Sequence, residues 1–294
     1  MNEKIKEYLD WKGSYAPRAS INYKIWLTLF LKVCGERSIE EYELKDIVRY
    51  MEWLKLHYKP YSVQFATVVI KNFFQFFKDK NLHCLSPKYI RLPKIIVNNH
   101  HRAVKPEEFD KIVSVIPRDQ DFRSLRDNAM IRILWDTGIR VSELTDLDIT
   151  QINPKKLNTV ISTKKTGRNR IIVWSEETHD YLMRYMALRK NIPSVKRPLA
   201  LFINYNPTEQ IYQRATSRCV QRMVKKYANL AGIVGKTSPH ALRHGWAHKR
   251  RDMNASLAFI QKGLGHRSPN TTFIYMEYND RDFESNAQNY LQAA

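Results

Sequence analysis

Thr237-Ser238-Pro239-His240-Ala241-Leu242-Arg243-His244 is the stretch on which the fold turns. Ser238 is placed to cap a helix that begins at Pro239, because a serine hydroxyl accepts from an early backbone N–H and proline has no N–H to leave unsatisfied. His240 and Arg243 then fall on one face of the first turn, near the positive end of the helix dipole, where an imidazole and a guanidinium can converge on one anion. Read alone, the stretch is equally a structural histidine beside a solvated basic helix, since His244, His248, Lys249, Arg250 and Arg251 follow.

Working outward, a second basic position stands upstream in Asp136-Thr137-Gly138-Ile139-Arg140-Val141-Ser142-Glu143-Leu144. Gly138 is suited to end the apolar helix that runs through Ala129 and Trp135, which leaves Arg140 at the start of the next one. Arg140 is also spaced to pair with Glu143 at i,i+3, the ordinary fate of a surface arginine. Downstream lie Gly263-Leu264-Gly265-His266 and then Ser268-Pro269. The two glycines are expected to break a helix and Ser268-Pro269 to start another, with His266 in the loop and Tyr275 about two turns further on. A lone tyrosine there would ordinarily be a packing residue with its hydroxyl satisfied.

Between these motifs the pattern changes to strand. Thr159–Thr163 and Asn169–Trp174 are β-rich and flank a polar turn, Lys164-Lys165-Thr166-Gly167-Arg168, so the reading is a β-hairpin with a basic tip. Leu199–Phe202 is expected to be a third short strand. Everything else with clear periodicity is helical. Residues 3–80 carry apolar stripes, one through Ile21, Ile25 and Leu29 and another through Val69, Phe73, Phe76 and Phe77. Two X-Pro steps and the polar run Asn98-Asn99-His100-His101 interrupt the periodicity. The organisation is therefore a helical domain over 1–82, a linker over 83–103 and a second domain over 104–294, which opens with helix signals at Lys105-Pro106-Glu107-Glu108.

Composition narrows the function. Among 294 residues, 49 Lys and Arg face 29 Asp and Glu, a formal charge of +20, and 43% of residues are hydrophobic. That apolar content fills a core in each of two domains and excludes bulk disorder. The first 100 residues hold 17 basic against 10 acidic side chains and the rest 32 against 19, so both halves are basic. A surplus of this size calls for an acidic partner, and nucleic acid fits better than membrane because no apolar stretch approaches a membrane span. The amino terminus has the character of neither a signal nor a transit peptide, and the three cysteines, Cys34, Cys84 and Cys219, form no Cys-x-x-Cys pair. The expectation is a cytoplasmic protein with no disulfide framework. No phosphate loop and no paired-histidine metal helix occurs, so neither cofactor nor metal is expected.

Taken together, Thr-Gly-x-Arg-x-Ser-Glu-Leu around Arg140, Pro-His-x-Leu-Arg-His around Arg243 and Leu-Gly-His-x-Ser-x-x-Thr-Thr-x-x-Tyr ending at Tyr275 resemble the tyrosine recombinase (phage integrase) family; in size and architecture the chain is Xer-like, with two domains, and equally close to mobile-element integrases that lack an extra arm-binding domain. The resemblance implies a mainly α fold with a small β-hairpin or sheet: a SAM-like helical core-binding domain and a mixed α/β catalytic domain that together form a C-shaped clamp around double-stranded DNA. It implies that Tyr275 attacks the scissile phosphodiester to give a 3′-phosphotyrosyl link and a free 5′-hydroxyl, which conserves the bond energy and requires no ATP. Arg140 and Arg243 correspond to the clamp on the phosphate, His240 to the histidine that helps deprotonate the tyrosine, and His266 to the one that hydrogen-bonds the phosphate. Glu143 matches the acidic residue that orients the site.

The family draws the proton for the leaving oxygen from a lysine at the hairpin tip. Counting back from Arg168-x-Arg170 selects Lys165 over Lys164, although Lys164 stands where a glycine usually precedes that lysine. Two further departures stand out. After Arg243-His244 the family commonly continues Thr-Phe-Ala-Thr, whereas this chain has Gly245-Trp246-Ala247-His248, and Trp174 replaces a frequent proline-leucine pair. The tail from 280 to 294 has the spacing of a short amphipathic helix, and in this family such a tail docks on a neighbour within a homo-tetramer assembled on two DNA sites from protomers that are monomers or dimers in solution. A type IB topoisomerase would share this chemistry without strand exchange, and a non-catalytic sequence-specific DNA-binding protein would share the fold. No residue separates chromosome dimer resolution from mobile-element integration.

Overall fold

The structure, a computed structural model, describes residues 3–95, 102–117, 121–163, 167–193, 195–196, 199–275 and 287. It divides into two compact units, Met1–Asn98 and Asn99–Ala294. Among the described residues, the first unit is built from the α-helices α1 (Glu3–Tyr15), α2 (Pro17–Cys34), α3 (Leu44–His57) and α4 (Pro60–Asp79). Proline opens α2 and α4 at their first turns, where its missing N–H costs nothing. Asp46 closes the start of α3: its carboxylate accepts from the Glu43 backbone N–H at 2.9 Å and pairs with Arg37 at 2.7 Å.

The core of this unit is largely aromatic, with Tyr8, Phe30, Tyr50, Phe73, Phe74 and Phe77 packed mostly edge to face. The stripe through Val69, Phe73 and Phe77 faces this core as its spacing indicates. The stripe through Ile21 and Ile25 does not: these residues are 66% and 53% exposed, and α2 instead buries Tyr23, Leu27, Phe30 and Cys34. Helix α2 is apolar on more than one side, and the core takes the face with the larger rings. Cys84 and Ile90, assigned to the linker from sequence, are buried in the same core, so the first unit extends well past residue 82.

The second unit runs in the order α5 (Pro106–Ser114), α6 (Phe122–Thr137), α7 (Val141–Asp146), β1 (Asn158–Thr163), β2 (Arg168–Val173), α8 (Glu176–Arg189), β3 (Val195–Lys196), β4 (Ile203–Asn206), β5 (Ile211–Arg214), α9 (Ser217–Leu230), α10 (Pro239–Asp252), α11 (Leu257–Leu264) and α12 (Asn270–Phe273). Strands β1 and β2 form the expected antiparallel hairpin, with Ile161 opposite Arg170 and Thr159 opposite Ile172. The third strand is not at Leu199–Phe202. Ala200 makes only an isolated bridge to Asp148, and the sheet, in the order β3-β5-β4, is built from strands on either side of this segment. Its β4 and β5 pair antiparallel across a polar turn, whereas Leu201 and Phe202 are spent on the core.

Helix α6 is the centre of the unit. Asp121 caps it by accepting from the Ser124 N–H, and Gly138 ends it in the left-handed conformation. Nearly every side chain between them is buried, including Arg126, Asp127 and Arg132. Asp127 holds Arg126 on one side and accepts from the Tyr227 hydroxyl on the other, which pairs the charges in this interior. Helix α10 packs across α6 so closely that a Cβ on Gly245 would lie 2.3 Å from the Val104 carbonyl oxygen and 2.6 Å from the Trp135 ring. The family's threonine cannot fit there. Gly245→Ala is expected to destabilise the second unit by roughly 1–3 kcal/mol, read as a fall of several degrees in the Tm of its thermal transition; an unchanged Tm would contradict this packing.

Candidate active site

Each site element ends where a functional side chain is needed. Gly138 turns the chain out of α6 with φ of 61°, and Arg140 follows as the residue preceding α7. Glu143, in the first turn of α7, accepts the Arg140 backbone N–H at 2.8 Å and its Nη1 at 3.1 Å. Arg243 enters from α10, whose start is capped by the Ser238 hydroxyl accepting from the Ala241 N–H as the sequence predicts. His266 follows Gly265, whose φ of 64° ends α11. A Cβ on Gly265 would also sit 2.7 Å from Arg170 Nη1, so this glycine is required both for the turn and for the approach of that arginine.

Gly263 behaves differently from the sequence reading. It lies inside α11 and breaks nothing; a Cβ there would meet the Trp246 ring at 2.4 Å. The same ring lies against Gly138, where a Cβ would stand 2.8 Å away, and Trp246 Nε1 donates to the Asp136 carbonyl at 2.7 Å. Trp246 is thus a wedge between the loop that carries Arg140 and the helix that leads to His266. A phenylalanine at this place would fill part of the gap without making that hydrogen bond.

Arg243 is 2% exposed. It donates Nη1 to the Gly138 carbonyl at 2.7 Å and Nη2 to the Leu264 carbonyl at 2.8 Å, so two backbone oxygens aim its guanidinium. Burial, and then the neighbouring Arg140, lower its pKa to about 10. Nη2 also stands 2.9 Å from His266 Nε2. A guanidinium can only donate, so Nε2 accepts and the ring proton sits on Nδ1, which donates to Thr272 Oγ1 at 2.8 Å. Burial and the charges of Arg243, Arg140 and Arg170 bring the His266 pKa down to about 4, so the ring is neutral at neutral pH.

Tyr275 is 3% exposed beside this cluster. It lies beyond α12, a single turn from Asn270 to Phe273, instead of two turns into a longer helix. Its ring stacks on His266 at 6.3 Å and meets His244 at 5.3 Å. Burial raises its pKa, and the charges of Arg243 and Arg140 offset only part of that rise. His240 is exposed on the first turn of α10 and reaches the cluster through His244, ring to ring at 4.8 Å. Six of the residues selected from sequence are therefore gathered: Arg140, Glu143, His240, Arg243, His266 and Tyr275. Lys164 and Lys165 lie outside the described residues, as does the tail from 280 to 294 apart from residue 287.

One participant escaped the sequence reading. Arg170 on β2 served there only as a counting mark, yet it donates to both oxygens of Glu143, at 2.9 and 2.7 Å, and from Nε to the Gly263 carbonyl at 3.0 Å. It ties the hairpin to α7 and α11. The signal was strand alternation: Arg170 shares the inward face of β2 with buried Ile172, while Ile171 and Val173 are exposed. Burial pushes the Glu143 pKa up, but the hydrogen bonds and charge of Arg170, with Arg140 behind it, outweigh burial and bring it to about 2.

A sequence model of the phage integrase family matches residues 102–282. Tyrosine recombinase XerA of Pyrococcus furiosus is 29% identical over 275 residues, covering 93% of this chain and 87% of that protein. Tyrosine recombinase XerC of Roseiflexus sp. is 30% identical over 259 residues, covering 85% and 79%. The fold matches that of a XerH site-specific recombinase bound to its difH substrate, at 18% identity and a TM-score of 0.73 over 96% of this chain and 83% of that one. It also matches a Tn1549 transposon integrase in complex with a circular intermediate DNA, at 17% identity and a TM-score of 0.77 over 99% and 98%. The site lies wholly within the matched span, and the chain belongs to the phage integrase family.

Because its pKa falls on folding, Glu143 contributes stability that is fully present above the ordinary carboxylate range and is lost as pH falls from about 4.3 toward 2. Glu143→Gln, which leaves buried Arg170 without its counter-charge, is expected to cost about 3–5 kcal/mol at pH 7 in denaturant titrations. The difference from the parent protein should shrink through that acid window; a pH-independent difference would contradict the pairing.

Proposed function

We propose that the protein is a site-specific DNA recombinase that cleaves and rejoins duplex strands, with Tyr275 as its nucleophile. The observation that carries this reading is the burial of a tyrosine against a neutral histidine and a guanidinium held by backbone carbonyls, with a second guanidinium at the mouth of the site. In the proposed step the Tyr275 oxygen attacks phosphorus, an O–P bond forms to the tyrosine, and the bond to the 5′-oxygen breaks. The proton leaves Tyr275 toward His240, and Lys165 supplies one to the departing oxygen. A phenol with pKa near 10 ionises only sparsely at neutral pH, and burial makes Tyr275 more reluctant still, so deprotonation has to be coupled to attack.

Charge gathers on the non-bridging phosphoryl oxygens in the transition state. Arg140, one-third exposed, and Arg243, deeply held, are fixed donors that stabilise it without reorganising. His266 now spends the Nε2 lone pair on Arg243, so its hydrogen bond to a phosphate oxygen requires that contact to be given up and Nε2 to gain a proton. Rejoining is the same step in reverse with a 5′-hydroxyl from another strand, and exchange between two sites takes four protomers. Most of the remaining basic side chains in both units serve to hold the DNA backbone.

The test uses nicked duplexes carrying the sequence that the protein enriches from a random pool. The parent protein is expected to form a covalent adduct and Tyr275→Phe none, while Arg243→Ala loses cleavage but keeps most of its salt-dependent affinity. An undiminished adduct from Tyr275→Phe would overturn the assignment. Relaxation of a supercoiled plasmid that lacks the selected sequence would instead indicate a type IB topoisomerase, and binding with no adduct from any variant a non-catalytic DNA-binding protein.

A further inference from the structure

The histidines of α10 fall at 240, 244 and 248, a spacing of four that places them along one stripe of the helix. The stripe leads to Tyr275. His244 meets the tyrosine ring at 5.3 Å, and His248, one turn further on, meets it edge-on at 5.7 Å with the rings 86° apart. Arg251, three residues beyond His248, directs Nη1 at the Tyr275 backbone carbonyl from 3.4 Å. His266 covers the tyrosine from its own loop, nearly parallel at 13°. The ring is therefore bracketed by histidines, and the adjoining backbone is held from the last turn of α10.

Local structure does little to hold Tyr275. Helix α12 has four residues, a length that has no stability of its own, and Tyr275 lies outside it. Its position must come from tertiary contacts. At the position where the family pattern Thr-Phe-Ala-Thr ends in threonine, this chain has His248, which supplies a ring that threonine does not have. We propose that His248 and Arg251 are positioning residues for the nucleophile: the last turns of α10 form a seat that fixes the ring and the backbone of Tyr275 for attack. The inference rests on Tyr275 being the nucleophile. It gives α10 two tasks, with His240 and Arg243 at its start facing the phosphate and His248 and Arg251 near its end facing the tyrosine.

The experiment measures single-turnover adduct formation by the full chain on the nicked duplex, with DNA affinity followed in parallel by fluorescence anisotropy and folding by thermal melting. A nucleophile displaced by about an ångström can lose up to roughly a hundredfold in rate. His248→Ala and Arg251→Ala are each expected to slow cleavage at least tenfold, with affinity and Tm close to those of the parent protein. His248→Phe, which restores a ring edge without a titratable nitrogen, is expected to recover most of the rate, whereas His248→Thr is not. Unchanged cleavage in His248→Ala, or no recovery in His248→Phe, would overturn the proposal. Faster cleavage would also overturn it, since it would mean that the seat holds Tyr275 back. Tyr275→Phe keeps the two readings apart: an adduct from that variant refutes the nucleophile assignment itself, while slow but tyrosine-dependent cleavage bears on the seat.

Discussion

Three guanidiniums stand around one carboxylate at the heart of the second unit, two of them bonded to it, and the rest of the site follows from that imbalance. Arg140, Arg170 and Arg243 converge on the region of Glu143, whose two oxygens are shared between Arg140 and Arg170. Arg243 is held by the carbonyls of Gly138 and Leu264. Buried charge is tolerated only where hydrogen bonds replace water, and the chain supplies them from the ends of α6 and α11. Burial, reinforced by the excess of positive charge, makes Arg243 hold its proton less tightly and keeps His266 neutral, while the same charge partly offsets the burial that raises the Tyr275 pKa. A site in this electrostatic state favours an anion, and a phosphodiester is the anion the geometry suits.

The fold holds those groups at fixed distances from one another. Backbone carbonyls can aim Arg243 only if α6 and α11 end where they do, and each ends on a glycine in the left-handed conformation. Trp246 fixes the separation of these two ends by filling the space that Gly138 and Gly263 leave open. Arg170 adds the hairpin to the same assembly, so that β2 moves with α7 and α11. The groups proposed to be catalytic come from four separate segments that these contacts tie together, which is what electrostatic stabilisation of a transition state requires.

Much of this was legible in the sequence because the site residues sit at element ends, where capping and glycine rules apply to few residues at a time. Ser238-Pro239 and Gly138 announced the placement of Arg243 and Arg140 correctly. Gly263 was misread because a helical glycine required for space has the same signature as one required for a turn; only the partner ring, remote in sequence, tells them apart. Arg170 was overlooked because a buried arginine on a strand looks like a solvated one until its carboxylate partner is known. The apolar stripe of Ile21 and Ile25 misled for a related reason: α2 has several apolar faces, and packing rather than periodicity chose among them. The short sheet at 195–214 went unseen because its strands have two to four residues and mixed polarity.

The claim that the cationic site is completed by one phosphate is tested most directly by the titration of His266. Its imidazole can be followed by NMR in the Tyr275→Phe protein, free and bound to the selected duplex. The account predicts a pKa near 4 in the free protein and a marked rise on binding, because an added anion stabilises the imidazolium that burial and the arginines disfavour. A pKa near 6.5 in the free protein, or no change when DNA binds, would contradict it.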